Sequence, residues 1–484
     1  MSERPPRPFG MRPRSQPQGP QGANPQQRVA LDGKPPSRPA LASRPRVLRY
    51  LAAGLLALSF LDQVIISEIQ FARNPAGIVG LALVATFAFY RLGRARLMDG
   101  PGGLVILLIV LTSCLELVRY YVTGEDLVWS LQGYLQYVQV AVLYLIFRDT
   151  ASDKRTIPAM GLAFVFSTTV MSVVANLGLA SLTWGGEGQR SGVVGLNINE
   201  QAFLYALGVI GVACWILGRW PRLRAFDIGL GVAGGSMILA LLQTGSRGGA
   251  AVFLFGLGIA FVLFLKRNRL SAYLTVVPMV VLGVSVALMG ADVLRTRATA
   301  TVEEGDTGLR VELARAGSEL FAERPLIGWG ARYSRTLGEF MQRTKPIAAH
   351  NLYLQMLLSF GLLGFIPWLL AVGATLRTAW LSRGSPWGAT LLTLLLATLL
   401  FGVAGNLAYN KYFWVALALA GRSSVMGDGS ARLPARLAAT KRPWPPPFDV
   451  AVSRNLRPAP GGPPRPSDLP APGMRRTLAN WSRP

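Results

Sequence analysis

Histidine occurs once in this 484-residue chain, at position 350, and cysteine only twice, as Cys114 and Cys214. So few of either cannot build a His/Cys metal cluster or a disulfide framework, and neither is expected. Charged residues are also sparse at 15%, against 51% hydrophobic, with a mean hydropathy of +0.37. A soluble domain rarely has so little charge, because its surface needs more polar cover than this. Apolar runs of about 17–22 residues recur instead, each long enough to cross a hydrocarbon core of roughly 30 Å.

Acidic residues are outnumbered, 24 to 49 Lys and Arg, for a net charge of +25. The excess invites a nucleic-acid reading, and its distribution argues against one. Residues 1–49 carry +8 and residues 422–484 another +8, so the two ends hold 16 of the 25. Both ends are rich in Pro, Gly, Gln and Arg without hydrophobic period, and read as disordered. Basic tails beside membrane spans hold to an anionic cytoplasmic leaflet or simply set topology. Nucleic acid is therefore not an expected partner; membrane lipid is. A cleavable signal is not expected either, since the first apolar segment is long enough to remain as an anchor.

The expected fold is all-α: a polytopic membrane protein of about twelve transmembrane helices with one large extracytoplasmic loop. Residues 1–46 and 422–484 are the expected cytoplasmic tails, and 47–421 the membrane domain. The spans are predicted near 48–66, 76–92, 102–118, 128–147, 157–180, 199–218, 226–244, 248–265, 271–290, 351–373, 386–404 and 407–421. With the N-terminus inside, the cytoplasmic loops hold 14 Lys and Arg and the short outer loops 5 (Arg73, Arg119, Arg190, Arg247, Lys411). That bias fits the positive-inside rule and places both termini in the cytoplasm.

The large loop, 291–350, has structure of its own. Asp306-Thr307 can cap a helix with one apolar face, Leu309, Leu313, Ala316, Leu320 and Phe321. Pro325 ends it, and Gly328-Trp329-Gly330 makes a turn whose tryptophan suits an interface. The segment is expected to lie on the membrane rather than cross it.

Polar groups on the outer face that topology does not explain are the functional candidates. Arg247 sits in a Ser246-Arg247-Gly248-Gly249 turn between two spans, Arg310 opens the loop helix, and Arg190 precedes Asn197-Ile198-Asn199. The planar guanidinium suits phosphate oxygens. His350 stands at a helix N-terminus, where the dipole and nearby arginines disfavour its protonated form. A neutral ring can accept a proton, as a general base must. The plainer readings are that His350 caps the helix or touches lipid headgroups, and that the arginines anchor lipid phosphate.

Three stretches taken in order resemble one family. They are Leu241-Leu242-Gln243-Thr244-Gly245-Ser246-Arg247-Gly248-Gly249; Arg310 with Pro325-Leu326-Ile327-Gly328-Trp329-Gly330; and His350-Asn351-Leu352-Tyr353-Leu354 leading into Gly361-Leu362-Leu363-Gly364. Together they resemble the O-antigen ligase and polymerase superfamily of bacterial membrane glycosyltransferases over about residues 190–370. The resemblance implies a plasma-membrane enzyme with its active site at the outer face. Its donor would be a glycan on undecaprenyl diphosphate, and its acceptor a glycan or glycolipid hydroxyl. Carried over residue by residue, His350 would be the base, and Arg247 and Arg310 would hold the diphosphate. Arg190, Asn199, Ser246 and Asn351 would contact substrate. Asn197-Ile198-Asn199 departs from the Asn-Pro-Asn common in the family, which weakens the carry-over at Arg190 and Asn199. No cofactor or metal is expected, because the outer face has no Asp-x-Asp pair and arginines can neutralise the leaving charge.

Three alternatives stay open. A polymerase of the same superfamily, or an enzyme transferring the glycan to a protein hydroxyl, would use the same residues. A lipid-glycan flippase is the reading from another class, because Asp62 and Glu116 fall within predicted spans, where carboxylates can mark a transport path.

Overall fold

The computed structural model describes residues 46–58, 75–91, 100–123, 127–179, 181–184, 190–193, 197–219, 222–267, 269–289, 308–331 and 333–426. Almost all of both tails, together with Asp62, Arg73 and the Asp306-Thr307 cap, lie outside them.

The chain is helical. In order come α1 (Arg46–Ala57), α2 (Pro75–Arg91), α3 (Pro101–Thr123), α4 (Leu127–Thr150) and α5 (Thr156–Asn176). There follow α6 (Ile198–Arg219), α7 (Ala225–Gln243), α8 (Arg247–Leu265), α9 (Arg269–Met289), α10 (Gly308–Glu323) and α11 (Tyr333–Phe340). The series closes with α12 (Leu352–Leu381), α13 (Pro386–Gly402) and α14 (Lys411–Ala420). Each of the twelve predicted spans overlaps a helix where it is described, residues 59–66 of the first lying outside the described residues, and 308–340 supplies α10 and α11. Among the described residues, six helices (α3, α5, α6, α7, α8 and α12) are long and apolar enough to cross a membrane. Shorter apolar stretches lie in α2, α9, α13 and α14. The protein is a helical membrane protein on this count.

One departure from the all-helical expectation is a short antiparallel hairpin, β1 (Ser181–Trp184) with β2 (Arg190–Val193), where a plain loop was expected. It pairs Arg190 with Trp184 across the ladder.

Polar residues set the helix starts. Ser246, Asn351, Ser385 and Asn410 cap α8, α12, α13 and α14, each side-chain oxygen accepting from a backbone N–H of the first turn, as orphan N–H groups require. Pro386 opens α13 at a position where its missing N–H costs nothing. The most buried candidate span is α6, which packs on α5, α7, α8 and α13. Small residues allow this: a Cβ on Gly249 of α8 would stand 2.5 Å from Ala202, and one on Gly256 2.2 Å from Ile210. Close backbone approach through small residues is the usual way helices associate in lipid.

Two expectations are corrected here. Arg119 is not in an outer loop: it lies within α3 and is 4% exposed. Its charge is matched inside the protein, as a cation in an apolar helix demands. The apolar face of α10 does not lie on lipid. Leu313, Ala316 and Leu320 pack with Tyr333, Leu337, Ala349 and Leu358 into a small core of their own. Burying that face between α11 and α12 removes it from lipid and water alike.

Candidate functional site

The turn between α7 and α8 positions the first group. Thr244 ends α7, Gly245 takes a left-handed φ of +58°, and Ser246 caps α8. The left-handed residue reverses the chain at no side-chain cost. Ser246 also donates to Asn199 Oδ1 at 3.0 Å, which ties the start of α8 to the start of α6. Arg247 is thereby the first residue of α8, and it is exposed.

The second group rests on a broken helix. Within α12, Gly361 leaves helical geometry at φ +57°, ψ −166°. A break frees backbone groups that must be satisfied where there is no water. The Pro325–Gly330 turn does this, lying alongside the break. Trp329 N donates to Leu358 O (2.6 Å) and Gly330 N to Ser359 O (2.8 Å). In return, Leu362 N donates to Pro325 O (2.8 Å) and Leu363 N to Leu326 O (3.1 Å). The two backbones touch at Gly328 and Gly361, where an added Cβ would meet main-chain atoms at 2.3–2.6 Å. Hence Pro325-Leu326-Ile327-Gly328-Trp329-Gly330 and Gly361 belong to one joint.

A latch from α3 holds the joint down. Arg119 donates to the carbonyls of Ile327 (2.7 Å) and Gly328 (3.3 Å) and pairs with Glu116 at 2.8 Å. Glu116 Oε1 in turn accepts from Ala331 N at 3.0 Å. Glu116 is thus engaged in fastening the loop, the plainer use of a carboxylate in a span. Trp329 is half-buried, donates Nε1–H to Leu320 O (2.8 Å) and carries the Arg324 guanidinium 4.0 Å above its ring. It therefore serves the loop's own packing.

His350 is set between these parts. It is half-buried, with a left-handed φ of +49°, a region uncommon for any residue with a Cβ. Backbone outliers of this kind cluster at active sites. On one side the buried Tyr333 phenol accepts from Ala349 N–H, and burial keeps that phenol protonated far above the usual range. On the other side Asn351 Oδ1 accepts from Tyr353 N (2.9 Å) and Leu354 N (3.0 Å), fixing the first turn of α12. Burial, and then the Arg310 charge, lower the imidazole pKa from its ordinary 6.5. Both causes favour the neutral ring.

The predicted residues are partly brought together. Ser246 and Asn199 share a hydrogen bond, and Arg310 acts electrostatically on His350. A methyl on Gly248 would stand 3.6 Å from the Phe401 ring, and one on Gly402 3.0 Å from Leu352. The start of α8, with Ser246 and Arg247, and the start of α12, with His350 and Asn351, therefore flank the last turn of α13. Asn351 and Ser246 both spend their side-chain oxygens on helix starts. Arg190 stands on β2. Sequence reasoning missed Tyr333 and the Glu116–Arg119 latch; the second had a signal, an ion pair at i,i+3 within an apolar helix.

Residues 232–369 match the family model described as O-Antigen ligase. No curated protein matches the chain. The matched segment runs from within α7 through the Ser246–Arg247 turn, Arg310, the Pro325–Gly330 joint and His350 into α12. Over that segment the chain resembles the O-antigen ligase and polymerase superfamily, as its motifs imply.

Proposed function

We propose that the protein is an O-antigen ligase-like glycosyltransferase that moves a glycan from undecaprenyl diphosphate to a sugar hydroxyl at the outer face of the bacterial plasma membrane. In this reading both tails lie in the cytoplasm. His350 removes the proton of the acceptor hydroxyl, and that oxygen attacks the anomeric carbon. The bond from that carbon to the diphosphate oxygen breaks, and undecaprenyl diphosphate departs with the electron pair. Arg247 and Arg310 hold the diphosphate and stabilise its growing charge, a task worth most where water is scarce. With one base and no assigned nucleophile, the step is a single displacement that inverts the anomeric centre and uses no metal ion.

The observation that carries the reading is His350: the chain's one imidazole, biased to its neutral form, in a strained backbone setting, at the junction of the family's motifs. The test is transfer by purified protein in detergent, from lipid-linked glycan to an added acceptor, in the presence of a chelator. Transfer without a membrane gradient is expected. A protein that transfers nothing in detergent yet moves the lipid across vesicles would replace this reading with the flippase.

A further inference from the structure

One apolar cavity of the described bundle lies away from His350. It is bounded by α1, α5, α6, α7, α13 and α14, and about 810 Å³ of it is unfilled by protein atoms, part of that open to the surroundings. Its walls are nearly all apolar, with Met160, Gly161, Gly211, Trp215, Trp387 and Leu391 among them. Asn199, bonded to Ser246, and Trp215 stand on the same helix, α6, 16 residues apart. At 1.5 Å per residue that separates them by roughly 24 Å along the axis.

One end of the cavity is charged. Trp215 packs edge-on to Trp387 at 5.5 Å and donates Nε1–H to Asp227 at 2.8 Å. Arg219, one turn further along α6, lies 5.0 Å from the Trp215 ring and 3.5 Å from Asp227, with its side chain 38% exposed. Arg224 donates its backbone N–H to the same carboxylate at 2.7 Å, and its charge also acts there. Two cations against one buried carboxylate leave this end net positive, beside two tryptophans of the kind that settle at headgroup depth.

We infer that this is a structural lipid site: one acyl chain of an anionic membrane phospholipid fills the cavity, and its phosphate meets the rim at Arg219. An apolar cavity does not hold water, and unfilled space forfeits packing contacts along its walls. A hydrocarbon chain supplies those contacts, and the charge balance at the rim selects a headgroup with net negative charge. The site is separate from the donor site proposed above and does not depend on it.

The experiment is native mass spectrometry of the detergent-purified, delipidated full chain after add-back of phosphatidylglycerol, phosphatidylcholine or undecaprenyl phosphate. Wild type is expected to retain one phosphatidylglycerol in preference to the other two. Gly161→Leu, which puts a side chain into the cavity, is expected to lose retention at least tenfold. Arg219→Gln is expected to keep lipid binding but lose the preference for phosphatidylglycerol over phosphatidylcholine; since it changes only a half-exposed side chain, it tests the rim should the cavity variant misfold. Equal retention of all three lipids by wild type, preference for undecaprenyl phosphate, or unchanged selectivity in Arg219→Gln would overturn the inference.

Discussion

Replacing Gly361 by alanine tests the joint that carries the loop leading to His350. The new Cβ would meet Leu326 O at 2.3 Å and Gly328 N at 2.6 Å, in a backbone held at φ +57°. Neither contact can be relieved by turning a side chain, because both partners are main chain. With ψ −166° this backbone lies in a region essentially open to glycine alone, which costs alanine about 1–3 kcal/mol. Displacing the Pro325–Gly330 segment also surrenders four backbone hydrogen bonds of 2.6–3.1 Å, each worth about 1 kcal/mol net. If half to all of them are lost, the total is about 3–7 kcal/mol. Hydrogen exchange is the assay, read on the peptide holding the Trp329 and Gly330 amides. At 1.4 kcal/mol per tenfold, protection should fall by roughly 10²–10⁵, and turnover should fall with it because His350 follows in the same loop. Gly373→Ala is the internal control: it lies in α12 too, but its Cβ would meet nothing within 4 Å. It should gain a few tenths to about 1 kcal/mol from helix propensity. Equal protection of the loop peptide in both variants would refute the reasoning.

Three further outcomes are expected. Because burial and then Arg310 lower the His350 pKa, the acid limb of kcat/KM should have its midpoint below 6.5; Arg310→Gln should move it part of the way back, leaving the larger effect of burial. The unfolded chain then binds the proton more readily than the folded one, so stability should fall as pH drops from about 6.5 through the folded-state value, and a limb at or above 6.5 would contradict the assignment. Arg119→Met should destabilise the protein by about 3–5 kcal/mol by stranding Glu116 beside a nearly buried site, and adding Glu116→Gln should recover much of the loss in a thermal melt. Asn351→Ala should cost about 1 kcal/mol through its lost cap, while Asn351→Asp should be nearly neutral.

The positions of the spanning helices were legible because apolar length alone dictates helix in lipid. The caps at Ser246, Asn351 and Ser385 were not singled out in the sequence, because a polar residue beside an apolar run fits a turn as well as a helix start. The path of Pro325–Gly330 was not legible either, because it depends on a helix break at Gly361 more than thirty residues away. Periodicity makes α12 a single continuous span, and nothing local to Gly361-Leu362-Leu363-Gly364 says that a partner turn waits beside it. The α10 face was legible as apolar, yet amphipathicity does not say whether lipid or protein covers it; Tyr333 and Leu337 decided that. At the site, the direction of the His350 bias was read from the helix dipole and nearby arginines, whereas its larger cause, burial, arises only from folding, as do its left-handed φ and the Tyr333 contact.

The most direct test of the central claim separates donor binding from turnover in purified protein. His350→Gln should bind the undecaprenyl-diphosphate glycan with wild-type affinity and transfer it at least 10²-fold more slowly, the typical contribution of a general base. Arg247→Ala should weaken donor binding as well. Transfer by His350→Gln at the wild-type rate would contradict the account.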